Sequence, residues 1–396
     1  MRNQSVLISG ASVAGPALAY WLDRYGFDVT VVERAPELRP GGQAVDFKGA
    51  THRTVLERMG IWAEIQAHRT GTTDTVFVDA EGRRVGFMSG DFTGGDVEIL
   101  RGDLARIMYK KTLGSCEYRF GDSITALTET AAGVHVEFAS GAAGTFDLVF
   151  GADGIHSRVR RLAFGPEAQF VAHLGHYYCV AGASPWQAEQ TGPRERVTAY
   201  GFNAPGRLAV SGGAKAQQLY MFAAPELDYD RDDIAAQRRL VAERYAGLGW
   251  EVPRMLTEMA EFDDFYLDSL SQVRMRATGY TRGRVALVGD SAYGNTLGGF
   301  GTGLAVVGAY VLAGELALAA GDHRAAFARY DEIMRRYAKI AGNANAGKFL
   351  APRTARGIKL RNWFLGSRMW ALMAKFGDNA ANDIDLLDYP ALVRGR

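Results

Sequence analysis

Residues 5–15 read Ser5-Val6-Leu7-Ile8-Ser9-Gly10-Ala11-Ser12-Val13-Ala14-Gly15, a short apolar run followed by a turn of small residues. The run predicts a buried strand. Gly10 and Gly15 occupy the first and third glycine positions of G-x-G-x-x-G, the turn that cradles a dinucleotide pyrophosphate, and Ser12 stands at the second. A helix follows over residues 16–25, then a second apolar run, Val29-Thr30-Val31-Val32, which ends in Glu33. Strand, glycine turn, helix and strand make a βαβ unit. Gly10 allows the tight turn, Gly15 lets the helix pack closely on the sheet, and the unpaired N–H groups of the helix start face a phosphate. Ser12 adds a Cβ where the backbone approaches phosphate, but its hydroxyl can donate to a phosphate oxygen. Glu33, eighteen residues after Gly15, is the expected acceptor for a ribose hydroxyl pair. Gly10, Ser12, Val13, Ala14 and Gly15, with Glu33 and Arg34, are thus the expected cofactor contacts. The bland alternative is an ordinary βαβ turn with a surface glutamate.

Working outward, GGQAVDFKG (41–49) reads as a glycine-rich turn, followed by a helix over about 51–59. Residues 76–88 read as two short strands around Glu81-Gly82. A helix begins near Arg101, and 123–129 and 133–139 form a hairpin, with Val134, Val136 and Phe138 alternating. A buried strand over 147–151 runs into ADGIHSRVR. From there to about 280 the segments are strand-rich (HYYCV, RLAVSGG, LYMFAAP), with one helix near 232–246. RVALVGD (284–290) restores a short apolar strand, and long helices follow to about 346. This pattern predicts a discontinuous nucleotide domain (1–75, 98–168 and 280–346), a substrate domain (76–97 and 169–279) and a C-terminal helical segment (347–396).

A chain of 396 residues, 47% of them hydrophobic, is long enough for two domains. Lys and Arg number 45 against 44 Asp and Glu, so no net field gathers nucleic acid or an anionic membrane surface. Cys116 and Cys179 lie near no partner at metal-ligand spacing and read as reduced core thiols of a cytoplasmic protein, with no metal site. The four residues before the first strand are too few for a signal peptide. Residues 303–320 (GLAVVGAYVLAGELALAA) approach membrane-span length, but with Glu315 inside they read as a buried helix and not a span.

GADGIHSRVR (151–160) and GRVALVGDSA (283–292) resemble the DG and GD motifs of flavin monooxygenases related to 4-hydroxybenzoate hydroxylase. With the glycine turn they cover nearly the whole chain in the family's order. The resemblance implies an α/β fold: a Rossmann-like FAD-binding domain, an inserted β-sheet substrate domain and a C-terminal bridging helix. It implies that the turn binds FAD, that Asp290, after Gly289, bonds the ribityl chain, and that Asp153 contributes to FAD and nicotinamide handling. The stretch 41–49 is similar to the flavin-edge turn of tetracycline-inactivating monooxygenases, which by match puts Gly42 and Asp46 beside the isoalloxazine. Arg101, in LRGDLARI, is then the arginine that reaches the flavin. After Asp290, relatives carry a proline before a G-x-G that opens the next helix. This chain has no such proline, and Gly299-Phe300-Gly301, with Thr302, is the expected equivalent. Its glycine N–H groups can stabilise charge at the flavin N1–C2 edge.

Such chemistry needs few protein acids or bases, so no catalytic side chain is assigned. His52, His173 and His176 read as satisfied structural residues. Tyr177, Tyr178, Tyr200, Phe202, Tyr220 and Phe222 suit a sheet with one face on a ligand, or plain packing for half of them. In 354–376, Arg361, Arg368 and Lys375 form a narrow basic stripe, with Trp363, Leu365, Met369, Trp370, Leu372, Met373 and Phe376 around the rest. Docking across the domains, as in the tetracycline-inactivating relatives, competes with a membrane-surface helix. The reading is an FAD-dependent monooxygenase. It uses NADPH or NADH and O₂ to hydroxylate an aromatic or polyketide-like small molecule through a flavin C4a-hydroperoxide. Alternatives are a flavin-dependent dehydrogenase or oxidase on the same scaffold, and a non-catalytic flavin or small-molecule-binding protein.

Overall fold

The computed structural model describes residues 4–39, 44–90, 95–183, 196–214, 216–275, 278–297, 301–341, 345–367 and 386–394. The opening run forms β1 (Ser5–Ser9), followed by α1 (Ala14–Arg24) and β2 (Asp28–Glu33). They build one sheet with β7 (Glu117–Phe120), β11 (Leu148–Gly151), β17 (Thr281–Arg282) and β18 (Val285–Leu287), in the order β17-β18-β11-β1-β2-β7. Every neighbouring pair is parallel except β17 with β18. Both faces are covered, so Val6, Leu7 and Ile8 are fully buried in succession rather than alternating.

The segment 41–49, expected as a glycine turn, contains a strand where it is described. Val45 and Phe47 flank Asp46 in β3 (Ala44–Phe47), which pairs antiparallel with β6 (Val97–Leu100). Ladder bonds to β6 override the local turn signal. Two short helices, α2 (Ala50–Arg58) and α3 (Trp62–Ala67), follow β3; α3 was not expected. A further helix, α4 (Arg101–Thr112), starts directly after β6. The expected hairpin is β8 (Ile124–Thr130) and β9 (Gly133–Phe138), and β10 (Ala143–Phe146) extends it to three strands.

A second sheet of seven strands runs β16-β12-β15-β14-β13-β4-β5. Its members are β4 (Thr73–Val78), β5 (Arg84–Met88), β12 (Val171–Ala181), β13 (Val197–Ala204), β14 (Arg207–Ser211), β15 (Gln218–Ala223) and β16 (Phe265–Val273). Two helices cover one face, where a single helix was expected. After α5 (Arg158–Ala163) in the first sheet's connections come α6 (Ile234–Tyr245) and α7 (Val252–Glu261). Val252, Met255 and Met259 of α7 recur at helical spacing and are buried, a signal present in the sequence and overlooked.

A one-turn helix, α8 (Asp290–Tyr293), follows β18, and then the apolar helix α9 (Gly301–Leu318) threads the core between α1, α2 and α10 (His323–Ala341). It is the one helix among the described residues long and apolar enough to cross a membrane, and most of it is buried inside the protein. Glu315 within it accepts the Tyr389 hydroxyl at 2.7 Å, which satisfies the carboxyl. After α11 (Ala346–Leu350), α12 (Ala355–Leu365) lies on the seven-stranded sheet at β5, while Tyr389, opening α13 (Tyr389–Arg394), packs on α9. The tail thus touches both sheets' surroundings. Its expected polarity holds only in part where described: Leu365 is buried, but Arg361 is buried too, its guanidinium 3.9 Å from the Phe77 ring centroid, and Trp363 is exposed. Stacking and a hydrogen bond from Arg361 Nη2 to Asn203 Oδ1 (2.5 Å) draw the cation inward. Arg368, Met369, Trp370, Leu372, Met373, Lys375 and Phe376 lie outside the described residues.

Candidate active site

The glycine turn, Glu33, the DG segment and the GD segment follow β1, β2, β11 and β18, so parallel pairing brings all four to one carboxyl edge. Backbone bonds zip the strand tips together: Val288 N–H to Gly151 O at 2.9 Å, Ala152 N–H to Ser9 O at 2.8 Å and Gly10 N–H to Val32 O at 2.8 Å. Gly10 has φ +106° and a Cβ there would stand 2.5 Å from Ala152 O. At Gly15 a Cβ would lie 1.8 Å from Gly10 O, so only glycine lets α1 start this close to the turn.

Glu33 accepts the Ala11 N–H through Oε2 at 2.8 Å and the Ala35 N–H through Oε1 at 2.9 Å. Its carboxylate is thereby fixed beside the turn, with lone pairs left for hydroxyl donors. Ser12 accepts the Nε–H of Arg101 at 2.9 Å across 89 residues of chain. That bond uses a lone pair of Oγ and leaves its proton free to be donated. Val13 and Ala14 are buried behind the turn, whereas Arg34 is exposed and pairs with Asp232 at 3.7 Å on the surface.

The Ala44–Leu100 pair joins β3 to β6, with Asp46 opposite Glu98 and Arg101 directly after β6. Asp46 Oδ1 accepts the Gly95 N–H at 3.2 Å. Gly42 and Gly299 lie outside the described residues. Gly289, at φ +69°, meets α1 back to back, since a Cβ there would lie 2.9 Å from Ala14 Cβ. Asp290 follows it. Burial pushes its carboxyl up, and the Arg101 charge offsets part of the effect. Gly301 opens α9 against it, a Cβ there falling 3.3 Å from Asp290 Oδ1, with Thr302 half-buried in the same first turn. In the loop that lacks the proline, Leu297 adopts φ +55° and packs on the seven-stranded sheet. A left-handed leucine costs on the order of 1 kcal/mol or more, which the sheet contact offsets.

Asp153 serves its own loop: Ser157 Oγ–H donates to its Oδ1, and the N–H groups of Arg158 (2.8 Å) and Val159 (3.1 Å) donate to Oδ2. Burial pushes this carboxyl up and those bonds oppose the rise. Sequence reasoning missed three residues here. Arg160 is fully buried and donates to Ser291 O (2.9 Å) and Ile155 O (2.5 Å), stapling the DG loop to the GD loop. Ser291 Oγ–H reaches Gly151 O at 2.5 Å. His156 bonds Glu167 Oε1 through Nδ1 (2.9 Å) and Asp268 of β16 through Nε2 (3.1 Å), tying the two sheets together. Burial alone would lower the imidazole, but Asp268 and Glu167 hold it above its ordinary value. An H beside the DG motif is a visible signal, but its partners stand far away in sequence.

The three histidines read as satisfied structural residues sit in packed surroundings, but the buried Nδ1 of His173 has no hydrogen-bond partner among the described residues. His52 Nδ1 accepts the Lys48 N–H at 3.3 Å, and burial pushes its pKa down to about 4, so the ring is neutral against Gly303. His173 Nε2 contacts Ala224 O at 2.9 Å, and the ring of His176 packs on Gly347. The aromatic alternation resolves differently from a ligand-facing array. Tyr177, Phe202, Tyr220 and Phe222 lie in the core under α6 and α7. Tyr200 shares the Phe202 face by alternation and is exposed, and only Tyr178 turns to the opposite face. The Arg101 charge lowers Asp290, Tyr178 and Tyr266 alike, so Arg101 lies within electrostatic reach of both the Asp290 turn and the Tyr178 face.

The family model of the FAD binding domain matches residues 3–341. An uncharacterized protein of Mycobacterium tuberculosis is 42% identical over 341 residues, covering 83% of this chain and 88% of its own length. A flavin-dependent monooxygenase of Legionella longbeachae is 37% identical over 352 residues, covering 85% of this chain and 86% of its own. The crystal structure of tetracycline destructase Tet(51) matches with a TM-score of 0.78 at 32% identity, over 97% of this chain and 98% of its own. With the glycine turn, the DG and GD segments on one carboxyl edge and a family match over most of its length, the chain belongs to the FAD-binding flavin-dependent monooxygenases and is an oxidoreductase.

Proposed function

We propose that the protein uses NADPH or NADH and O₂ to hydroxylate a flat, largely apolar aromatic or polyketide-like molecule. One observation carries the substrate class. Strand registers place Tyr266, Val180, Leu219, Val210 and Gly201 side by side across β16, β12, β15, β14 and β13 on the Tyr178 face. Val180, Leu219 and Val210 are only half-buried there, an apolar surface that would form the floor of a substrate site beside Asp290 and Arg101. The tetracycline destructase likeness points to a fused-ring ligand of the same kind.

The residues present fit FAD. The Gly10–Gly15 turn admits no extra Cβ at its two glycines, and Ser12 and Arg101 offer donors to a pyrophosphate. Glu33 would take the adenosine ribose and Asp290 the ribityl chain, with Asp46 and Arg101 at the flavin edge and Gly301 and Thr302 at its pyrimidine end. Bound there, FAD supplies hydride acceptance from a nicotinamide and activation of dioxygen at C4a. The protein's part is to orient the substrate on the floor and exclude water. The buried thiols Cys116 and Cys179 suit a reducing cytosol.

The test is NADPH and NADH consumption by the yellow holoenzyme with tetracycline and with simple fused-ring phenols, followed by product mass under isotopically labelled dioxygen. Ligand-stimulated consumption and one labelled oxygen in the product are expected. Label from water, or stoichiometric peroxide with an unoxygenated product, assigns a dehydrogenase or oxidase instead.

A further inference from the structure

The near balance of charge over the whole chain hides a segregation. Residues 345–367 carry Lys348, Arg353, Arg356, Lys359 and Arg361 and no Asp or Glu, and they lie within a longer run, 333–377, of ten Lys or Arg and no acid. Helix α12 presents part of this charge to solvent. Its inner side is docked: Arg361 and Leu365 are buried, Arg361 stacks on Phe77 of β4 and donates to Asn203 of β13, and Asn362 packs on Gly86 of β5. The Thr354 hydroxyl caps its start by accepting the Gly357 N–H at 3.0 Å. Its outer side carries Arg356, Lys359, Leu360 and Trp363, at i, i+3, i+4 and i+7 on one helix face. All four are exposed, Leu360 to 64% and Trp363 to 66%. Neither cation pairs with a carboxylate among the described residues. The helix is capped and docked without these four side chains, so the fold does not account for them.

We propose that the outer face of α12 is a docking surface for an anionic lipid bilayer, with the helix lying in the plane of the interface. Leu360 and the Trp363 ring enter the headgroup boundary, where an indole buries its apolar body and keeps its N–H on polar partners. Arg356 and Lys359 meet the lipid phosphates. Four side chains fall far short of the ~20–30 residues a side that a stable protein interface uses, whereas an interfacial helix gains from each such residue separately. The fold already holds the helix, so binding orders no backbone. Domain docking and a membrane surface, the two readings of the tail, fall on opposite sides of one helix, and the surface cations are Arg356 and Lys359 rather than Arg361. The lipid surface is independent of the substrate and nicotinamide proposed above.

The experiment is flotation of the FAD-loaded protein with vesicles of phosphatidylcholine alone and of equal parts phosphatidylcholine and phosphatidylglycerol. Wild type is expected to bind the anionic vesicles at least about tenfold more tightly than the neutral ones, with the difference shrinking as salt is raised. Arg356→Gln with Lys359→Gln should cut the anionic-vesicle affinity about tenfold or more, and Leu360→Ser with Trp363→Ser by a similar factor. FAD content and melting temperature should be kept in both, because all four side chains are exposed. Lys110→Gln with Lys111→Gln, which removes two exposed lysines from the last turn of α4, should leave the affinity within about twofold. Absence of binding to anionic vesicles, equal binding to neutral ones, or binding that survives both α12 double variants overturns the assignment. A lipid-free dimer in sedimentation velocity that Leu360→Ser with Trp363→Ser disperses overturns it too, by giving the face to a second copy of the chain.

Discussion

Ser12→Ala isolates the residue that breaks the glycine fingerprint. The substitution keeps the Cβ and removes the oxygen that accepts Arg101 Nε–H at 2.9 Å. A hydrogen bond to a charged group contributes ~1.5–3 kcal/mol, and both side chains are half-buried, so the freed guanidinium regains water and the loss falls at the lower end. If the bond aims Arg101 at the cofactor, FAD affinity should fall about tenfold, which is ~1.4 kcal/mol. Reconstitution of the apoprotein followed by flavin fluorescence gives the dissociation constant. The decisive comparison is a double-mutant cycle. In an Arg101→Met background Ser12→Ala should cost under ~0.5 kcal/mol, because its partner is already gone, leaving a coupling of ~1 kcal/mol. Ser12→Gly restores the fingerprint but not the hydroxyl, and should weaken FAD no more than about tenfold. Additive effects in the cycle would refute the reasoning, since Ser12 would then act on the phosphate or the turn and not through Arg101.

Gly15→Ala puts a Cβ 1.8 Å from Gly10 O and forces α1 away from the turn; a loss of at least ~1–3 kcal/mol in stability, seen as a lower melting temperature, and poor FAD retention are expected. Asp290→Ala should weaken FAD by ~1.5–3 kcal/mol without unfolding the protein, as measured by titration of the apoprotein. The His156 cluster predicts a pH window for stability. His156 is raised in the fold, so its contribution is full below its ordinary value and fades as pH rises through the folded one; Asp268 and Glu167 are lowered, so theirs is full above the ordinary carboxylate range and fades as pH falls through the folded values. Urea midpoints across pH should show the sheets held most firmly between the ordinary carboxylate and imidazole values, and His156→Gln should flatten the alkaline limb.

The parts of the site legible in sequence are those whose partners are close along the chain or whose backbone demands one residue type. Gly10 announces the turn through its positive φ and Gly15 because a Cβ would collide with Gly10 O five residues back, whereas the clash of a Gly10 Cβ with Ala152 O is tertiary, and Glu33 is found by counting to the next strand tip. The DG and GD segments are recognisable because each strand-to-turn junction is a local event. Misreadings fall where tertiary contacts outvote local pattern. Strand pairing with β6 made a strand of residues expected as a turn, and Phe77 with Asn203 drew Arg361 out of a solvent stripe.

The linkages that organise the cleft were invisible for a simpler reason. Arg101 meets Ser12 across 89 residues, His156 meets Asp268 across 112, and Arg160 meets Ser291 across 131. No periodicity encodes such pairs. Strand alternation puts Tyr177 and Tyr178 on opposite faces, which reading the six aromatics together did not use, and it gives no means of knowing which face meets helices, because both faces carry apolar side chains. The sequence by itself determined the cofactor turn and the order of the motifs, through steric demands felt within a few residues. Only the tertiary folding that brings Arg101 to Ser12, His156 to Asp268 and Arg160 to Ser291 decided which distant side chains share the site, because such contacts depend on where whole elements pack and not on local pattern.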